Sequence, residues 1–373
     1  PKFNAITING VRIPSTDAND RSVDLSMISP EALSGIEVFK ALRPDLDADA
    51  VGGSVNFTVR KAASEPVIGA KAQIGYNDQE REYGQWKFDV YTGRRLSNKK
   101  FGYFASVNGQ RANRSSDFLN ADYELAGENS DGSSLVRILT MNLGDRLETR
   151  YRYSANLNMD YQFNDNNSIT FNNTFGFTRR EEVRRRKRYR LADAYLEYDL
   201  RERNREILLF SNTLNGYHEV SQKGMLTWQA SRSQSIQNNI FDHNARFREL
   251  AAFNENLVDD EGPSAVPQGA DNDVDGLFLK DLRADDERVE ETNYVGRADF
   301  KQNFNVSTNI SGFFKAGAKF RLQERDRNIE RDWTGSNVSD VLTPQQLENF
   351  RLSDNGEIAM YDFWHPRLLA SDI

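Results

Sequence analysis

From about residue 66 onward, runs of alternating apolar and polar residues are separated by polar connections, and this period of two predicts β-strands. In the clearest run, 147–163, tyrosines, Leu157 and Met159 take one face, while arginine, asparagine, aspartate and glutamine take the other. The pattern predicts about nine strands in all. They cover 67–77, 83–95, 101–112, 147–163, 168–178, 204–220, 224–240, 290–304 and 311–323.

The connections between these strands alternate in length. The short ones are 97–100, 164–167, 221–223 and about 305–309. The first connection, 78–82, is also short, although it lies at the end of the long ones. The long ones are about 113–146, 179–203, 241–289 and 324–373. Short turns at one end and long loops at the other are typical of transmembrane β-barrels of the outer membrane, where the long loops are extracellular.

A soluble β-sandwich is the alternative, because its strands also alternate, with the apolar face in a packed core. Three features favour the transmembrane antiparallel barrel. Aromatic residues cluster near strand ends, several strands exceed the five or six residues usual in soluble sheets, and the polar faces suit a water-filled lumen. No stretch approaches the roughly 18 apolar residues that a spanning helix needs, so a helical membrane protein is excluded.

Composition narrows the function classes. The net charge of -8 disfavours nucleic acid as a partner. The chain has no cysteine, which is compatible with an oxidising periplasm but does not decide the compartment. It begins at Pro1 in what reads as the interior of a domain, so we expect the natural N-terminus to lie upstream.

Residues 1–62 have a different pattern. Ser29 and Pro30 suit the N-cap and first position of a short helix over 30–34. Strands are predicted over 35–40 and 54–60, with glycines 52–53 allowing a tight turn before the second.

In this order, four segments of the first 62 residues resemble the end of the plug domain of TonB-dependent outer-membrane receptors. They are Ile8-Asn-Gly-Val-Arg12, Ser29-Pro-Glu-Ala-Leu33, Gly35-Ile-Glu-Val-Phe-Lys40 and Asp47-Ala-Asp-Ala-Val-Gly-Gly-Ser-Val-Asn-Phe57. The resemblance implies a 22-stranded barrel whose lumen holds a small α+β plug. Residues 1–62 would be the C-terminal part of the plug and 63–373 the N-terminal part of the barrel. Nine strands cannot close such a barrel, so we expect a longer protein.

The resemblance also implies function. It indicates active uptake of a scarce, bulky nutrient (a siderophore, cobalamin, a glycan or a peptide) across the bacterial outer membrane. The partners would be TonB with its inner-membrane energising complex, outer-membrane lipids and the transported molecule; a lipoprotein lid is left open. The alternative is an outer-membrane surface receptor or adhesin that binds a partner through its long loops and transports nothing.

The polar loop after residue 13 is one candidate binding site, since such plugs present loop residues to arriving substrate. The same side chains could instead pair with lumenal carboxylates and hold the plug in place. The candidates are Arg12, Asp17, Asn19, Asp20 and Arg21.

A basic run in the predicted loop 179–203 is a second candidate, for lipopolysaccharide or an anionic substrate, through bidentate guanidinium contacts. The alternative is local pairing with Glu197, Asp199, Glu202 and Glu206 on the returning arm. The basic residues are Arg184, Arg185, Arg186, Lys187 and Arg188.

Asp271, Asp273, Asp275 and Gly276 match the first half of a calcium loop, but the acid expected at position 12 is replaced by Leu282. We therefore predict no stoichiometric calcium and no other cofactor. The three histidines lie in unrelated segments and no cysteine nucleophile exists, so we expect no enzymatic activity.

Overall fold

The computed structural model describes residues 4–28, 30–40, 50, 52–78, 80–96, 99–250, 252–253, 263, 265–271, 277–307 and 310–335. These residues are mostly β-structure and form two sheets. No helix among them is both long and apolar enough to cross a membrane.

The N-terminal sheet has four strands in the order β2-β1-β4-β3. Their bounds are β1 Asn4–Ile8, β2 Val11–Arg12, β3 Leu33–Phe39 and β4 Gly53–Val59. β3 and β4 confirm the two strands predicted there. The helix expected over 30–34 is shorter, a 3-10 turn at Pro30–Ala32, because Leu33 already pairs with Val59 in the sheet. Ser29 lies outside the described residues.

The large sheet has ten strands, and most of them pair with their neighbours along the chain. Within the described residues, β5 and β14 lie at the two ends of the order. β7 and β8 follow one another along β9, β7 pairing with its second half and β8 with its first. The bounds are β5 Val67–Asn77, β6 Glu82–Arg95, β7 Phe101–Asn113, β8 Ser116–Glu128, β9 Ser134–Asn164, β10 Asn167–Arg190, β11 Tyr195–Ser221, β12 Gly224–Leu250, β13 Phe278–Ser307 and β14 Ile310–Gly335.

The strands run much further than the alternation predicted. Each of the nine predicted strands is present, but β9 to β14 continue into ranges expected as loops, and β8 is an additional strand within 113–146. In the ranges 179–203 and 241–289, most described residues are strand, as are residues 324–335 of the last range. Both faces carry charged residues there, so the period of two disappears although the backbone pairing continues.

The two faces of the large sheet differ in chemistry. The inner face, defined here as the face that contacts the N-terminal sheet, packs Ile207 and Leu209 of β11 against Met27 and Phe57. Gly176 of β10 permits this contact, since a Cβ there would lie 3.2 Å from the Met27 carbonyl oxygen. The outer face exposes large apolar side chains on successive strands. They include Val90, Val107, Leu157, Phe175, Leu214, Tyr294 and Phe320.

At the far ends of β9 to β12, the outer face is buried instead of exposed. Tyr189, Tyr198 and Phe247 are almost fully enclosed there. They pack against Val266 and Leu277, which belong to the segment between β12 and β13. The long hairpins therefore end in a tip with its own hydrophobic core, which we call the tip core.

Candidate functional site

The connecting loop, residues 13–24 between β2 and the 3-10 turn Leu25–Met27, lies against the inner face of β12 and β13. The hydroxyl of Ser235 donates to the Ser15 carbonyl at 2.5 Å, and the Ser15 amide donates to Glu291 Oε1 at 3.3 Å. Ser233 Oγ donates to the Arg12 carbonyl at 3.2 Å. These bonds join backbone of the N-terminal segment to side chains of the large sheet, so they fix the position of the loop.

Two of the candidate aspartates also shape the loop internally. Asp17 Oδ1 accepts the Asn19 amide at 2.8 Å, and Asp20 Oδ1 accepts the Ser22 amide at 2.7 Å. Such bonds to a backbone amide two residues on are turns of the Asx type. These carboxylates therefore have a structural role whether or not they meet a ligand.

Arginines of β14 hold the exposed side of the loop. Arg325 Nη2 donates to the carbonyls of Asp17 and Ala18, both at 2.9 Å. Arg327 Nη2 donates to Asn19 Oδ1 at 3.3 Å. Both arginines fall in the range 324–373, which the sequence pattern predicted as a loop, whereas they belong to a strand that faces the connecting loop.

Three further arginines form what we call the arginine row. Arg150 of β9 lies directly opposite Arg180 of β10, and Arg180 lies directly opposite Arg205 of β11. Neighbouring strands are about 4.8 Å apart, so three guanidinium side chains start from adjacent positions on the inner face. Like charges directly opposite one another are destabilising unless anions compensate them.

The compensating carboxylates come mainly from the connecting loop. Arg180 Nη2 lies 2.5 Å from Asp24 Oδ2, and Arg205 Nη2 lies 3.7 Å from Asp17 Oδ2. Arg150 pairs with Glu148 of its own strand. Two of the three charges in the row are therefore balanced by residues that belong to the N-terminal segment.

The remaining loop candidates are less informative. Arg12 ends β2 and pairs with Thr7 in the N-terminal sheet. Arg21 lies in the bend that also contains Asn19 and Asp20. All five candidates therefore lie in the connecting loop or directly before it, and two of them, Asp17 and Asn19, contact arginines of the large sheet.

The basic run Arg184–Arg188 lies within β10, and its members alternate between the two faces. On the inner face, Arg184 and Arg186 donate to the two oxygens of Asp199 at 3.1 and 2.9 Å, and Arg188 lies 3.3 Å from Glu197. Local pairing with Glu197 and Asp199, one of the two interpretations of this run, is therefore present. Burial alone would raise the pKa of Asp199, but Arg186 and Arg184 lower it below its usual value.

The other two members of the run are buried under the tip core. Arg185 lies 3.0 Å from Asp145, and both side chains are almost inaccessible. The ammonium of Lys187 lies 5.4 Å from the ring centroid of Tyr198. Burial lowers the pKa of Lys187 to about 8, against the attraction of Glu249. These two residues contact protein rather than solvent.

The partial match to a calcium loop lies mostly outside the described residues, because Asp273 and Asp275 are not among them. The Asp271 amide donates to the Ala252 carbonyl at 2.8 Å. Within the described part of the chain, no group of three or more acidic or histidine residues is arranged to hold a metal ion. His218 stacks on Trp228 and His243 on Phe241, so each contacts an aromatic ring.

A cavity of about 1090 Å³ lies between the N-terminal sheet and the inner face, towards the short turns. Its lining includes hydroxyl and amide side chains from both sheets, together with several charged residues. Among the lining residues are Thr58, Thr170, Asn172, Asn215, Gln229 and Arg297. The contact between the two sheets is therefore polar and hollow at this end, whereas around Ile207 and Leu209 it is apolar and packed.

The chain matches no protein-family model and no curated protein. Among solved structures it is similar to the siderophore receptor PiuA from Acinetobacter baumannii, with 11% identity and a TM-score of 0.32 over 87% of this chain and 55% of that one. It is also similar to BauA, the ferric preacinetobactin receptor from Acinetobacter baumannii, with 12% identity and a TM-score of 0.31 over 91% and 69% of the two chains. For the ferric citrate transporter FecA, the identity is 10% and the TM-score 0.32, over 91% and 52%. The chain thus spans between 52% and 69% of the length of these three structures.

Proposed function

We propose that this chain is part of a TonB-dependent transporter of the bacterial outer membrane, which takes up a scarce, bulky nutrient. In this proposal the large sheet is the first part of the transmembrane β-barrel, from residue 63 onward. The N-terminal sheet, within residues 1–62, is the end of the plug.

One observation supports this proposal most strongly: the large sheet is apolar and exposed on the face away from the N-terminal sheet, and polar on the face that holds it. Phe175 and Leu157 represent the exposed face, and Thr174 and Asn156, which are buried, the opposite one. A soluble sheet of this size would bury its apolar face in a core. A barrel wall presents that face to lipid and its polar face to the lumen.

The length of the strands agrees with this arrangement. In the second half of β9, the exposed apolar positions run from Tyr153 to Phe163. At about 3.4 Å per residue with a tilt near 45°, such a run covers roughly 25 Å of membrane thickness. The part of β9 that precedes Tyr153, and the parts of β10 to β12 at the same end of the sheet, carry many ion pairs. They would then project into the extracellular medium and end in the tip core.

The proposed partners are TonB with its energising complex, the lipids around the apolar face, and a transported molecule that arrives from outside. The plug motifs support the TonB requirement, and the chain has no constellation that suggests catalysis. A surface receptor or adhesin built on the same wall is the competing function.

Uptake measurements distinguish the two functions. The full-length protein is expressed in two hosts, one that retains TonB and one that lacks it. Fractionation first establishes that the protein is in the outer membrane. Growth of both hosts is then measured on one scarce nutrient at a time. We expect nutrient-dependent growth in the TonB-containing host and its loss in the other. Outer-membrane assembly with no TonB-dependent uptake of any nutrient would favour the receptor or adhesin.

A further inference from the structure

We infer that the arginine row is a binding site for an anionic ligand carrying at least two carboxylate or phosphate groups, and that Asp17 and Asp24 of the connecting loop occupy this site until the ligand replaces them. The inference rests on the proposed function, because it names the chemical class of the transported ligand and the contact that it displaces.

The arginine row concentrates positive charge on the inner face. Arg150, Arg180 and Arg205 occupy directly opposed positions on three adjacent strands. Arg152 projects from the same face two residues along β9 and interacts electrostatically with Arg150, Arg180 and Asp24. Asp24 thus lies near Arg180 and Arg152, with Arg150 and Arg205 at the positions opposite Arg180, and such a concentration of positive charge attracts a polyanion.

The present contacts leave some hydrogen-bonding capacity of the row unused. Arg180 meets Asp24 through Nη2, while its Nε is buried without a hydrogen-bond partner. Arg205 contacts Asp17 at 3.7 Å, beyond hydrogen-bond distance, donates from Nη2 to Gln237, and its Nε is also buried without a partner. A guanidinium binds a carboxylate or phosphate best through two parallel N–H bonds. A free ligand could make these paired bonds, which the loop aspartates do not.

The spacing of the row also suits such a ligand. Cross-strand neighbours have Cβ atoms about 5 Å apart, and long arginine side chains that start from such positions can reach two oxyanion groups of one small molecule. A ligand that spans Arg180 and Arg205 would therefore contact both at once. A singly charged or neutral ligand could replace one loop carboxylate but would leave the other in place.

The position of the site couples binding to the connecting loop. Asp17 and Asp24 lie in a loop that is also anchored to the large sheet by hydrogen bonds, among them those from Ser235 and Arg325. Replacement of both carboxylates removes two of its ionic contacts with β10 and β11. Ligand binding thereby loosens the loop from the wall at the point where the ligand is held.

The test uses the purified full-length protein in detergent at low salt, with citrate and pyrophosphate as probes in titration calorimetry. Three double variants are compared with the wild type. Asp17→Asn with Asp24→Asn frees the row, and Arg180→Gln with Arg205→Gln removes it. Arg184→Gln with Arg186→Gln is the matched control, because those arginines lie on the same inner face but pair with Asp199.

We expect citrate or pyrophosphate to bind about tenfold more tightly to the aspartate variant, since each 1.4 kcal/mol of removed competition changes affinity by that factor. Binding should be lost in the Arg180 and Arg205 variant and unchanged in the control. Stronger binding of citrate than of pyrophosphate would identify a carboxylate ligand, and the reverse order a phosphate ligand. Unfolding temperatures within a few degrees of the wild type establish that each variant is folded.

The inference is overturned if neither probe binds the aspartate variant, or if removal of Arg180 and Arg205 leaves binding unchanged. Neither result would affect the proposed function, which is tested separately by outer-membrane fractionation and TonB-dependent growth. A wild type that transports a neutral nutrient and binds neither anion would retain the proposed function and refute the arginine row as its ligand site.

Discussion

Arg180 of β10 lies directly opposite Arg205 of β11 in the antiparallel ladder, so two arginine side chains project from neighbouring positions on the inner face. This pairing would be unfavourable in an isolated sheet. Here Asp24 and Asp17 of the connecting loop compensate it. The connecting loop is therefore held by the large sheet, and the arginines of the large sheet need the carboxylates of the loop.

Asp24→Asn should loosen the connecting loop. The ion pair with Arg180 is about one quarter exposed, with side-chain exposures of 27% and 18%, so its contribution is discounted to about 1 kcal/mol. We expect faster amide hydrogen exchange over residues 13–24 and unchanged exchange in the tip core. Asp131→Asn is the control, since Asp131 bonds Ser133 within its own exposed turn. Equal exchange in the two variants would show that Asp24 does not hold the loop.

Gly176→Leu should weaken the packing of the N-terminal sheet against the large sheet. A Cβ at this position already lies 3.2 Å from the Met27 carbonyl, and the larger side chain must displace Met27 at a cost of about 1–3 kcal/mol. Limited proteolysis of the folded protein should then cut the N-terminal segment sooner. Gly296→Leu is a matched control, because nothing lies within 4 Å of a Cβ built there. Similar protection in both variants would contradict the close contact.

Phe175→Lys tests the outer face. Lysine near the middle of a lipid-facing strand costs about 2–4 kcal/mol, whereas Phe175→Leu keeps an apolar side chain there. We expect the lysine variant to fold into lipid vesicles less efficiently, as measured by the shift in gel mobility between heated and unheated samples. Phe175 is 37% exposed, so a soluble sheet would tolerate lysine at this position. Equal folding of the two variants would therefore oppose a membrane-facing role.

Lys187→Met tests the buried ammonium of the tip core. The pKa of Lys187 is lowered to about 8, so the unfolded chain binds more protons than the folded one above that pH, and folding stability rises with pH. We expect the wild type to gain thermal stability between pH 8 and 10 relative to the methionine variant, in which this contribution is absent. Parallel pH profiles of the two proteins would show that folding does not lower the pKa of Lys187.

The sequence pattern predicted the part of the fold next to the short turns well. The β9–β10 hairpin is the clearest example: its short turn at 164–167 and its apolar face from Tyr151 to Phe163 were both readable from alternation. The turn also sets the register, which places Arg150 and Arg180 opposite one another. Two of the three arginines of the row could therefore have been found from the sequence.

The extended arms could not be predicted in the same way. Residues 179–190 are charged at both odd and even positions, so the apolar-polar period of two that predicts a strand is absent there. The strand continues there because cross-strand partners such as Asp199 and Glu197 satisfy the arginines. Arg205 was missed for this reason, since its pairing with Arg180 depends on a β10–β11 register that a predicted loop would not define.

The connecting loop was identified from its position and polarity, but its contacts were not. Asp17 and Asn19 meet Arg325 and Arg327, which lie more than 300 residues away along the chain. No local pattern carries information over that separation. The identity of such partners follows from the topology of the sheet rather than from the motif.

The order of the large sheet has a consequence for the order of folding. From β9 to β14 each strand pairs with its neighbour along the chain, so these contacts close short loops and the hairpins can form one after another. The connecting loop is the exception, since the bond from Arg325 to Asp17 spans 308 residues. The connecting loop must therefore wait for β14 before all of its contacts can form, and a chain that stalls earlier would leave the loop without its bonds from Arg325 and Arg327.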